Sequence, residues 1–79
     1  TAPFDLLLVE EAIYYLAPEA QVALLDRAFA AMGPDGRAVI VLHSATKHAA
    51  IIERLGRHFH VVADRRERDR CYLVLGPRQ

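Results

Sequence analysis

Two apolar runs without alternation decide what this chain can fold into. Residues 6–9 read LLLV and residues 38–42 read AVIVL. Each is too short for a helix on its own, and neither alternates apolar with polar. Runs of this kind fit strands buried on both faces, the usual state of a parallel sheet with helices on either side. The segment between them has a different period. Val22, Leu25, Phe29 and Met32 recur at helical spacing, and Leu24, Ala28 and Ala31 widen the stripe. Pro18 and Glu19 suit the first turn of this helix, and the GPDG at 33–36 stops it and turns the chain. Gln21, Asp26 and Arg27 are expected to face water. A second helix is expected from a Ser44 or Thr46 cap to about Arg57, with Ile51, Ile52, Leu55 and Phe59 as its apolar face. Residues 59–63 and 71–75 read as two further strands, joined by the polar connection DRRERDR at 64–70. A link that short makes the last two strands antiparallel. The order is β-α-β-α-β-β, an α/β arrangement with no linker, so residues 1–79 are expected to form a single, partial domain.

Composition narrows the function classes. A chain of 79 residues has room for one small core, and a domain of that size buries only about 60–65% of its unfolded surface. Formal net charge is zero, which gives no general drive toward nucleic acid or a membrane surface. The first 36 residues carry six acidic groups and one basic; the remainder carries four acidic and nine basic. The arginines at 65–70 alternate with acids and have no aromatics between them, unlike a nucleic-acid stripe. No apolar run approaches the roughly 18 residues of a membrane span, and no secretory leader is visible. Cys71 is the only cysteine, so no intrachain disulfide forms and a reducing, cytoplasmic setting is expected. Its place in an apolar strand predicts a small buried hydrophobe. His58 and His60 are two apart but lack completing ligands nearby, so no metal is expected. Neither a glycine-rich phosphate loop nor a serine nucleophile elbow is present.

The residues with chemistry to offer follow the first strand. Residues 4–16 read FDLLLVEEAIYYL. Glu10 and Glu11 end the apolar run, and Tyr14, Tyr15 and Leu16 come just after. A strand that closes in charge and aromatics opens onto water at its carboxyl edge, where open α/β sheets bind ligands. His43 ends the second strand at the same edge. This string resembles the fourth strand and following loop of class I S-adenosylmethionine-dependent methyltransferases. It looks closest to the nodulation-type N-methyltransferases, which have a Glu and a Tyr-Tyr-Leu at this place. Pro34, Asp35 and Gly36 resemble the turn before that family's fifth strand. The resemblance covers most of the chain, but only the C-terminal half of the family's Rossmann-like fold.

The resemblance implies that the last strand inserts, antiparallel, between the second and third. It implies S-adenosylmethionine as cofactor, with Glu10 beside its methionine part or orienting an amine acceptor. Glu11 would anchor the loop or bind substrate. Tyr14 and Tyr15 would form a substrate wall able to meet a cationic methyl group, and His43 could act as a base. Glu11 and His43 are the catalytic candidates. Of the two tyrosines, Tyr15 is the one expected to lean into the core beside Leu16.

Right-handed crossovers that step the same way across a sheet put both helices on one face. The other face would then be bare, although both apolar runs are built to be buried twice. The chain also opens abruptly, two residues before a proline. These features together predict a partner: a missing N-terminal half of the same protein, carrying the main cofactor loop, or a second copy. The isolated chain is then expected to be inactive. The competing expectation is a non-catalytic α/β module that dimerises through the bare face. A flavodoxin-like or response-regulator-like fragment fits less well, because of the antiparallel last strand.

Overall fold

A computed structural model describes residues 6–10 and 12–78. It is an α/β structure with four strands and two α-helices in the order β1 (Leu6–Glu10), α1 (Pro18–Met32), β2 (Arg37–Leu42), α2 (Ala49–His58), β3 (His60–Glu67) and β4 (Arg70–Gly76), with one 3-10 turn, Ile13–Tyr15, after β1. The sheet runs β1-β2-β4-β3. β1 and β2 are parallel, and β4 is antiparallel to both β2 and β3. The last strand therefore lies between the second and third.

One core cluster holds the fold together. From the sheet it takes Ala38, Ile40, Leu42, Cys71, Leu73 and Leu75. From α1 it takes Leu25, Phe29 and Met32, and from α2 Ile51, Ile52 and Leu55. Ile13 and Phe59 close it, with Leu7 and Val9 half-buried against it. On β2 and β4 the cluster takes every second residue, as a pleated strand requires. Both helices therefore pack on one face.

The alternate residues form the second face. Leu8, Val39, Val74 and Ala63 stand opposite one another in a row across all four strands. Leu6 and Leu8 are 51% and 60% exposed, and Val39 and Val74 are half-buried. Val41 is covered, but it stands outside the core cluster. Among the described residues no helix lies over this face. Fully burying a Leu or Val side chain stabilises by about 1.5–3 kcal/mol. Even partly covered, this row leaves several kcal/mol unrealised, on the scale of a small domain's whole stability.

Four local expectations are corrected. β3 runs on through the charged stretch to Glu67, so only Arg68 and Asp69 link it to β4. It is an edge strand exposed along its whole length, and charge is tolerated there because it guards an open edge. Arg68 adopts φ 59°, the left-handed conformation a two-residue hairpin turn demands. Phe59 is not in the strand; it is the residue that ends α2. The third correction concerns the start of α2, which begins at Ala49, after His48, with no side-chain cap. The Ser44 and Thr46 hydroxyls are engaged elsewhere. Finally, Gln21 does not face water. It is 2% exposed and is the buried polar residue of α1.

Candidate functional site

The carboxyl ends of β1 and β2 lie side by side because their register pairs Glu10 with Val41. Glu10 ends β1 and is exposed. His43 follows β2 directly and is exposed. The hairpin turn between β3 and β4 reaches this same edge, since β4 runs against β2 and starts opposite its end, with Leu42 across from Cys71. A hollow of ≈ 230 Å³ here is lined by His43, Glu67, Arg68, Asp69 and Arg70.

The hairpin tip is tied to the chain that leaves β2. Asp69 accepts from the Ser44 hydroxyl at 3.1 Å, and from the Thr46 amide and hydroxyl at 3.0 and 2.9 Å. The Ala45 amide donates to the Asp69 carbonyl at 2.6 Å. The Thr46 amide, then the Thr46 and Ser44 hydroxyls, hold the Asp69 carboxyl below its ordinary pKa. Arg70 donates to the Tyr72 hydroxyl at 3.3 Å, and that hydroxyl, followed by the Glu67 and Glu10 carboxylates, raises its pKa.

The 3-10 turn sets the aromatic pair. Ile13 is buried and pins the turn to the core. The Gln21 side-chain amide then donates to the carbonyls of Ile13 and Leu16, both at 3.1 Å. Its oxygen accepts from Arg54 Nη1 at 2.8 Å. One glutamine therefore joins the turn, α1 and α2. On this platform Tyr14 is half-buried, stacked on His48 with centroids 4.6 Å apart and planes 15° apart. Tyr15 lies 4.5 Å from Tyr14 and is 79% exposed. The expectation for the pair is reversed: Tyr14 leans inward and Tyr15 stands in water. In a 3-10 turn successive side chains point about 120° apart, and buried Ile13 fixes which direction is inward.

Of the five residues singled out in the sequence, Glu10 and His43 share the edge. Tyr14 and Tyr15 occupy the turn that follows β1. Glu11 lies outside the described residues. Asp69, Ser44, Thr46 and His48 were missed as parts of this edge. Asp69 carried no local signal, because its role depends on a hairpin whose turn position the charged sequence conceals. Cys71 is fully buried in the core cluster, and burial followed by the Asp64 charge raises its thiol pKa. None of the described helices is long and apolar enough to cross a membrane.

No known protein family, curated relative or solved structure matches the chain.

Proposed function

We propose that this chain is the C-terminal half of an S-adenosylmethionine-dependent methyltransferase acting on a small-molecule amine. The observation that carries the reading is the strand order β1-β2-β4-β3, with β4 antiparallel between two parallel strands. An ordinary doubly wound dinucleotide fold continues parallel at this point. The carboxylate of Glu10 and the imidazole of His43 at one carboxyl edge, with Tyr14 and Tyr15 on the adjoining turn, support the same reading.

Methyl transfer from a sulfonium is an in-line displacement, so the protein mainly holds donor and acceptor in line and removes a proton from the amine. On this reading Glu10 borders the methionine part of the cofactor. Tyr15 offers its exposed ring to the substrate, with Tyr14 behind it. His43 takes the proton, and Glu11 orients the amine. A cation–π contact of the Tyr15 ring with a methyl-bearing cation contributes about 0.5–2 kcal/mol. The other half of the sheet, with its helices, covers the bare second face and supplies most of the cofactor contacts.

The test is calorimetry with S-adenosylmethionine on two samples: the 79-residue chain, and the protein expressed from its complete reading frame. The reading expects binding to the second and none to the first. Binding to neither, or equal binding to both, would overturn it.

A second reading, a non-catalytic module that pairs with its own copy, is favoured by the β1 edge. That edge strand carries exposed Leu6 and Leu8 and has neither proline nor lysine to guard it. Methyl transfer by the complete protein would exclude it.

A further inference from the structure

At the opposite edge of the sheet, α2 ends, β3 begins and β4 leaves. A cavity of ≈ 410 Å³ there is lined by Arg57, His58, Phe59, His60 and Arg78. Four of these five side chains can carry positive charge, and no carboxylate lines the cavity. Phe59 is 4% exposed and forms the floor.

The positions of the four are specific. Arg78 is held in place by Asp26, to which its Nε and Nη2 each donate at 3.0 Å. Its guanidinium carbon lies 5.5 Å from the centre of the Phe59 ring. That arrangement uses one side of the guanidinium fork and leaves Nη1 without a partner among the described residues. Arg57 has only a loose contact with Glu53, at 3.6 Å. The imidazoles of His58 and His60 have no hydrogen-bond or ion-pair partner among the described residues. Fixing Arg78 beforehand reduces the ordering cost of capturing an anion.

We propose that this cavity binds a phosphate group of a small molecule, with Arg57, Arg78, His58 and His60 as its donors. Guanidinium groups match the oxygens of a phosphate in a bidentate way. Asp26 and Glu53 offset the two arginines, and the carboxyl end of α2, which lies at the rim, disfavours an anion. His58 and His60 add ring N–H donors to the same lining. The site lies across the sheet from Glu10 and His43 and does not depend on methyltransferase activity.

The experiment is a titration followed by NMR on the protein from its complete reading frame, with inorganic phosphate and pyrophosphate as probes. The expected result is saturable shifts confined to residues 57–60 and 78, with pyrophosphate binding more tightly. Arg57→Gln and His60→Gln each weaken pyrophosphate binding about fivefold or more, while the spectrum elsewhere reports an intact fold. Shifts that do not saturate, that spread over all arginines, or that persist unchanged in both variants would overturn the proposal.

Discussion

Gln21 is the residue on which the aromatic platform depends. Its amide satisfies two carbonyls of the 3-10 turn, and its oxygen receives Arg54. Gln21→Ala leaves those carbonyls and a guanidinium poorly partnered in a buried place. The expected cost is about 1–3 kcal/mol, read by denaturant unfolding, together with loosening of Tyr14 and Tyr15, read by their NMR line shapes. Sequence reasoning put this residue in water because it is polar and flanks the apolar stripe. The choice between surface and core depended on a loop whose path the stripe does not encode.

Asp69 carries a pH dependence. Its pKa is lower in the fold than in the unfolded chain. Its contribution is therefore fully present above the ordinary carboxylate range and is lost as pH falls through the lowered value. Acid titration should release the hairpin tip before the core melts, with exchange of the Thr46 amide rising first. Asp69→Asn should remove that pH step. A tip that opens only together with the core would contradict the clamp.

Elements record how much of the fold was legible. Both parallel strands, both helices and the antiparallel close were readable, because unbroken apolar runs and helical periodicity leave strong patterns in Leu6, Leu7, Leu8 and Val9 and in Leu25, Phe29 and Met32. The length of β3 was not readable. An edge strand exposed throughout has no buried side chains to enforce alternation, so Asp64, Arg65, Arg66 and Glu67 look like a loop. Only their pairing with β4 makes them a strand.

The turns that join these elements make two predictions. Arg68 holds a positive φ that glycine adopts without steric cost, so Arg68→Gly should raise stability by up to about 1 kcal/mol. Gly36 behaves in the opposite way. A Cβ there would stand 2.5 Å from Met32 Cβ and 3.2 Å from the Gly33 carbonyl. Gly36→Ala should cost about 1–3 kcal/mol by forcing α1 and β2 apart. Thermal or denaturant unfolding of each variant measures the sign directly.

At the scale of the whole molecule, the sheet has one finished face and one unfinished one. Both helices share a single core, while Leu6, Leu8, Val39 and Val74 remain wholly or partly open on the far side. The handedness of crossovers made this legible from the order of elements alone. The site was less legible. Its edge could be named from Glu10 and His43, but the contribution of the hairpin could not, because strand insertion brings residue 69 beside residues 44–46 only in three dimensions. Leu8→Lys separates surface from stability here. The side chain is mostly exposed, so unfolding should change by no more than about 0.5 kcal/mol, while self-association of the 79-residue chain should weaken.

Sedimentation equilibrium of the 79-residue chain, across a hundredfold range of concentration, tests the unfinished face most directly. The account predicts association that persists into the low micromolar range and weakens in the Leu8→Lys variant. A cooperatively folded monomer at every concentration, unaffected by that substitution, would contradict it.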